Sequence, residues 1–276
     1  MTRPTPCQPS GPLRGLRTLA RGAARRAPLA AATACACLLP FVASAPALTR
    51  DVPADDRRIA DKLAAMLRAG RTVISESQGL INTPAAGQKR LDGNAVLARA
   101  VAIFQRETGL DPRSFDARTR EGRLVGLEMA AIRDVVEANQ ASINTPDLDF
   151  KGFIPAVFSR LVSEAFSRKA AGIAEMKVTA PRDLVRYRKS LPDAWEAAVI
   201  DEHLLRSDWP KGQPYQATLR DGERATFRIA VPEYYTASCL SCHGGPKGAL
   251  DITNYPKEGA DLGALGGVIS IKLFKP

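Results

Sequence analysis

Tyr215-Gln-Ala-Thr-Leu-Arg-Asp-Gly-Glu-Arg-Ala-Thr-Phe-Arg-Ile-Ala230 decides the fold class. Its two flanks, Tyr215–Leu219 and Ala225–Ala230, alternate in polarity with the period of a half-buried strand. Asp221-Gly222 between them is the strongest hairpin-turn signal in the chain, because both residues tolerate the left-handed backbone of a tight turn. Glu175–Thr179 and Val268–Leu273 alternate in the same way, so an antiparallel sheet is expected in the second half.

Upstream the period becomes helical. From Asp55 to about Ile81, residues Ile59, Leu63, Met66, Leu67, Val73, Ile74 and Leu80 recur mostly at helical spacings, with no proline between Pro53 and Pro84. Further helices are expected over Asn94–Thr108, Glu121–Asn139 and Phe153–Ala171. The last carries Pro155 in its first turn, where the missing N–H is harmless. Pro192–Leu205 reads as a helix between strands. Helices first and an antiparallel sheet afterwards make an α+β protein. Residues 55–150 form a helical region and 151–276 carry the sheet, the two together expected as one domain. RTVISESQGLINTP (71–84) and RDVVEANQASINTP (133–146) coincide at Arg, Val, Gln, Ile, Asn, Thr and Pro. A shared way of ending a helix explains that echo, since Asn accepts the cap position and Pro stops the helix.

The 276 residues are 45% hydrophobic and 25% charged, enough apolar material for a packed core. The formal net charge of +10 is unevenly placed. Residues 1–47 hold Arg3, Arg14, Arg17, Arg21, Arg25 and Arg26 and no acid, which leaves +4 for the remainder. A nucleic-acid face is therefore not indicated. Arginines, the apolar run Ala27–Val42 and the small residues up to Ala47 have the order of a secretory signal peptide over residues 1–47. Pro40 and the shortness of the run argue against a retained anchor. The mature protein is thus expected to be exported, soluble and periplasmic, without stable membrane insertion. Cys7, Cys35 and Cys37 would leave with the leader, and only Cys239 and Cys242 would remain.

Those two cysteines lie in Pro232-Glu-Tyr-Tyr-Thr-Ala-Ser-Cys-Leu-Ser-Cys-His-Gly-Gly-Pro246, a C-x-x-C-H pattern. Covalent haem c uses two thiols to bind the porphyrin vinyl groups and the adjoining histidine as an iron ligand. It is attached outside the cytoplasm, which the leader would satisfy. A structural zinc site needs about four ligands, and beyond Cys239, Cys242 and His243 the only further histidine is His203. A redox-active pair wants its first cysteine at a helix start, and Gly244-Gly245-Pro246 is a poor continuation of a helix. Spacing and compartment favour haem over zinc and the redox pair. Neither Met nor His follows His243, and the continuation is rich in glycine. That fits neither the small electron-transfer cytochromes nor the four-helix ones.

KGFIPAVFSRLVSEAF (151–166), LPDAWEAAV (191–199) and PEYYTASCLSCHGGPKGALDITNYPKEGADLGALGGVISI (232–271) resemble one family. It is the single-haem c-type domain with a PAS-like fold, once catalogued as a domain of unknown function and typified by a cyanobacterial haem protein. The resemblance runs roughly over residues 57 to 274. It implies a PAS-like antiparallel sheet with long N-terminal helices packed against it. It also implies one covalent haem c on Cys239, Cys242 and His243, and a sensory or redox role. The typifying protein closes the iron with an upstream cysteine, and the mature chain here has none.

The sixth iron position would then fall to His203, Met66, Met129 or Met176, or stay open to a small gas. Arg186, Arg188 and Lys247 are candidate partners for the haem propionates, against the alternative of solvated surface charge. Trp195, Trp209, Tyr234 and Tyr235 are candidate walls of the haem pocket, against a plain place in the core. Three functions compete: a redox- or gas-responsive sensor module, a periplasmic mono-haem electron carrier, and an enzyme such as a peroxidase. A single haem motif and the lack of a recognisable distal His-Arg pair argue against the enzyme. A sensor would need a redox partner or signalling protein, since no transmitter segment is evident.

Overall fold

The computed structural model describes residues 54–84, 89–221 and 224–275, so the expected leader and Gly222 of the expected turn lie outside the described residues. The first helix, α1 (Ala54–Glu76), stops short of Ile81, and a separate single turn, α2 (Gln78–Ile81), completes the segment. α3 (Gly93–Thr108) starts at Asp92, whose side chain accepts the Ala95 N–H, and ends at Gly109 with φ 73°. α4 (Arg120–Ala138) is capped by Thr119, and another single turn, α5 (Gln140–Ile143), comes after it. α6 (Pro155–Lys169) opens on Pro155 as expected.

These six helices are two copies of one unit. Gln78 to Gln140 and Gly93 to Pro155 are both 62 residues apart (140 − 78 and 155 − 93). The same step carries the buried Val96, Ala100, Ile103 and Phe104 of α3 onto the buried Phe158, Val162, Ala165 and Phe166 of α6. The INTP echo lies at the heart of it, and its bonds run across the copies. Asn82 accepts the Lys151 N–H at 3.0 Å, and Asn144 accepts the Lys89 N–H at 3.1 Å. The Gln78 amide donates to the carbonyls of Ile74 and Phe153, and the Gln140 amide to those of Val136 and Leu91. The echo is thus more than two helices ending alike: it is the clasp of a duplicated helix–turn–helix. The second copy runs through residue 150, from α4 to α6.

The sheet is built from four strands: β1 (Ala174–Thr179), β2 (Tyr215–Asp221), β3 (Arg224–Tyr234) and β4 (Leu265–Phe274). They form one antiparallel sheet in the order β1-β4-β3-β2, and Asp221, expected in the turn, instead ends β2 paired with Arg224. Alternation decides the faces. Met176, Phe227, Ile229, Val231, Ile269, Ile271 and Leu273 point into the core shared with α1 and α6. On the opposite face Ala230, Val268 and Leu265 pack with Val199, Ile200 and Leu204, flanked by Trp195, Trp209, Tyr215 and Tyr234.

That second face is covered by α7 (Ala194–Val199), which continues as one π-helical turn, Ile200–Leu204, where the sequence suggested one plain helix. Its start is the Pro-Asp-Ala-Trp-Glu stretch acting as a capping box. Asp193 accepts the Glu196 N–H, and the Glu196 carboxylate returns to the Asp193 N–H. Arg228 reaches across from the sheet to Asp193 at 2.8 Å and lies over the Trp195 ring. The protein is α+β, with a four-stranded antiparallel sheet. No helix among the described residues is long and apolar enough to cross a membrane.

Candidate functional site

The C-x-x-C-H stretch hangs from the end of β3, and α1 fixes the point of suspension. Arg68 and Arg71 both pair with Glu233, Arg68 through its Nε at 2.6 Å. The β3–β4 register then slips between Glu233 and Tyr234, a bulge that redirects the side chains beyond it. Tyr234 joins the outer aromatic cluster. Tyr235 is instead held by β-type bonds, its N–H to Ala264 and its carbonyl from Gly263. Residues Ala237–Cys239 make a 3-10 turn, and a single α turn, α8 (Leu240–His243), carries Cys242 and His243. Both cysteines are free thiols of intermediate burial.

A glycine-rich loop then returns the chain to the histidine. Gly244 sits so close under α8 that a Cβ there would lie 2.7 Å from the Leu240 carbonyl oxygen. Gly248, at φ +86°, turns the chain, and its N–H bonds to Lys257 while the Lys257 N–H bonds to Ala249. The excursion closes where the Ala260 N–H donates to the His243 carbonyl at 2.7 Å. Closure of that loop places Glu258 beside the imidazole.

A charged cluster results. Glu258 Oε2 lies 2.9 Å from His243 Nδ1. Arg186, from the segment between β1 and α7, grips the same carboxylate with Nε at 2.8 Å and Nη2 at 3.0 Å, and gives Nη1 to Asp251 at 2.6 Å. Its Nη2 also reaches the Cys242 carbonyl at 3.1 Å, and its guanidinium covers the Tyr255 ring. The Asp251 side chain is buried. Burial pushes its pKa up, but bonds from Thr253, Arg186 and the Tyr255 amide prevail and hold it well below the carboxylate range. Glu258 behaves alike: burial raises it, and the bonds to Arg186 and His243 outweigh that and lower it. The Tyr235 ring stands 5.0 Å from the imidazole, centroid to centroid. Its phenol is pushed up to about 12, by burial first and by the Glu258 charge second.

The residues singled out from sequence divide into groups. Cys239, Cys242, His243 and Arg186 come together, although Arg186 is occupied by Asp251 and Glu258. Arg188 and Lys247 are exposed, and neither forms an ion pair among the described residues. His203 stacks on Tyr215 at 4.3 Å and lies 5.1 Å from Trp209, within the aromatic cluster of the outer sheet face. Met66 and Met176 are buried in the core between helices and sheet, and Met129 packs against it. Of the four aromatic candidates, Tyr235 lies against His243, while Trp195, Trp209 and Tyr234 belong to the outer cluster. Glu258, Asp251 and Tyr255 were not singled out. A carboxylate fifteen positions beyond the histidine has no local spacing signal, and only the loop closure brings it back.

The chain matches the Tll0287-like family over residues 57–273. It belongs to that family. No curated protein and no solved structure matches it. In this Tll0287-like chain the site can be tested against each chemistry that its motif allows. No three His, Cys, Asp or Glu side chains among the described residues converge to hold a metal ion, which disfavours a zinc cage. Haem c asks for less: two accessible thiols and one nitrogen. His243 turns Nδ1 to a carboxylate, a neighbour that metal-binding histidines commonly have. Leu250, Ile252 and Leu262 in the loop beyond the motif are 59 to 66% exposed, apolar surface that a macrocycle would cover. The residues present fit the group. Two clefts, of about 260 and 640 Å³, lie around the start of α1 and contain no residue of the motif.

Proposed function

We propose that this Tll0287-like protein is an exported mono-haem c-type protein. Cys239 and Cys242 would carry the covalent links, His243 would supply a ligating nitrogen, and the sheet with its helical layer would serve as a PAS-like frame. The observation that carries the proposal is the pairing of two free thiols with an imidazole whose Nδ1 is engaged by Glu258. Bound haem would supply a redox-active iron able to take a small ligand. The chain's own part is to hold that imidazole still, through Arg186, Asp251 and Tyr235, and to screen one face with apolar side chains.

A redox- or gas-responsive sensor module, and not an enzyme, is the function that these features support best. The methionines weighed as sixth ligands are committed to core packing, and His203 is committed to an aromatic stack. An iron without a strong protein ligand on its far side suits a small gas. The second reading is a periplasmic electron carrier, favoured by the single C-x-x-C-H motif and the expected export.

Co-expression with haem-maturation machinery, followed by oxidised, reduced and CO-bound spectra, tests the proposal. Covalently bound haem that disappears in Cys239→Ala/Cys242→Ala is expected. A haem-free product, or colour that survives the double substitution, overturns it. Rapid CO binding selects the sensor, and a low-spin spectrum unchanged by CO selects the carrier. His203→Ala should leave the spectra as they are.

A further inference from the structure

We infer that Glu258 is a positioning residue for His243: it holds the ring proton on Nδ1, leaves Nε2 as the ligating nitrogen, and strengthens that nitrogen as a donor so that the ferric iron is favoured. The inference rests on the haem reading above and adds to it a residue outside the C-x-x-C-H motif.

Two groups compete for Nδ1. Glu258 Oε2 stands 2.9 Å away and Arg186 Nη2 stands 3.3 Å away. A guanidinium can only donate, which would need a bare Nδ1, whereas an ionised carboxylate can only accept, which needs Nδ1–H. Arg186 Nη2 already has Glu258 Oε2 at 3.0 Å and the Cys242 carbonyl at 3.1 Å, both shorter than its approach to the ring. Glu258 is fixed as an anion by the two-pronged grip of that same arginine. The shorter bond and the better acceptor therefore settle the tautomer, with the proton on Nδ1.

A carboxylate behind a ligating histidine raises the basicity of the ligand and locks its orientation. The Arg186 grip sets how much: the guanidinium draws part of the carboxylate charge to itself and so weakens what reaches the imidazole. Asp251 completes the set by holding Arg186 from its other end at 2.6 Å. The chain thus tunes one nitrogen through a line of three side chains, Asp251, Arg186 and Glu258.

The test compares wild type with Glu258→Gln after haem maturation, by midpoint potential in a dithionite titration. Gln keeps an acceptor and removes the charge. The expected result is covalent haem in both proteins and a ferrous share raised about tenfold at a fixed potential, about 59 mV for a one-electron couple. Equal potentials in two haem-loaded proteins would overturn the inference. A second measurement does not depend on haem. The ring ¹⁵N spectrum of haem-free protein in a His203→Gln background reads His243 alone, since the sequence has two histidines. An Nδ1–H tautomer that changes to Nε2–H in Glu258→Ala is expected, and an Nε2–H tautomer already present in wild type would overturn the inference. Wild type that takes up no haem refutes the proposed function, and the spectrum then decides the role of Glu258 by itself.

Discussion

Replacing Glu128 with methionine should stabilise this protein, and more so as the pH rises. Glu128 lies in α4 at the place that Met66 takes in α1, one repeat earlier (128 − 66 = 62), and both are fully buried. Neither carboxyl oxygen has a hydrogen-bond partner among the described residues, and burial alone pushes the pKa well above the carboxylate range. The cost has two parts. Burying a polar group without a partner costs about 1–3 kcal/mol, even for a neutral acid. Keeping it neutral adds a pH-dependent part. In the unfolded chain a glutamate titrates near ~4.3, so above that value the unfolded state binds fewer protons than the folded one. Stability from this group is therefore complete below the unfolded value and is lost as pH rises towards the folded one, by about 1.4 kcal/mol per pH unit. Glu128→Met removes both parts. Its advantage should be about 1–3 kcal/mol in mild acid and should grow by up to about 2.7 kcal/mol between about pH 5 and about pH 7. Urea unfolding at several pH values measures this, with each 2 kcal/mol moving the midpoint by about a molar. Equal pH slopes in the two proteins, or a variant less stable at neutral pH, would refute the reasoning.

The crossed clasp gives a second expectation: Asn82→Ala and Asn144→Ala should each cost about 1–2 kcal/mol in urea unfolding, because each strands a loop N–H of the other copy. Arg186→Met should cost about 1–3 kcal/mol near neutral pH by leaving Asp251 with its Thr253 and Tyr255 bonds but no cation, measured the same way. Asp251 is depressed in the folded state, so its contribution is present above the unfolded value near ~3.9 and lost as pH falls through the folded one. Asp251→Asn should therefore flatten the acid limb of the stability curve below about pH 4. Gly266→Ala would bring a Cβ within 2.6 Å of the Tyr235 ring, and a change in Tyr235 fluorescence together with a lowered unfolding temperature should reveal the displacement beside His243.

The sheet was legible in the sequence because alternation reports on burial directly: each expected strand is present and merely longer at its ends, with Asp221 inside β2 and not in the turn. The long helices were legible for the same reason. The interruption at Ser77 was not, since Glu-Ser-Gln carries neither proline nor glycine. The π turn after Val199 also has no signal in residue type. Pro-Asp-Ala-Trp-Glu held a readable capping box in Asp193 and Glu196. The duplication was visible only at INTP, because elsewhere the copies keep buried positions and exchange residues, as Val96 and Phe158 do. At the site, C-x-x-C-H announces itself by spacing, whereas Glu258 and Asp251 reach His243 and Arg186 only through the closure of a loop.

The strand order has a consequence in time. β4 lies between β1 and β3, and β1 has no other neighbour in the sheet. Yet β4 comes after Cys239 and Cys242 in the chain. A chain emerging from its N-terminus therefore presents both thiols while the centre of the sheet is still missing. On the haem reading proposed above, an attachment enzyme would meet the two cysteines in that interval. The final strand ends it by filling the gap between β1 and β3, directly after the loop that carries Glu258.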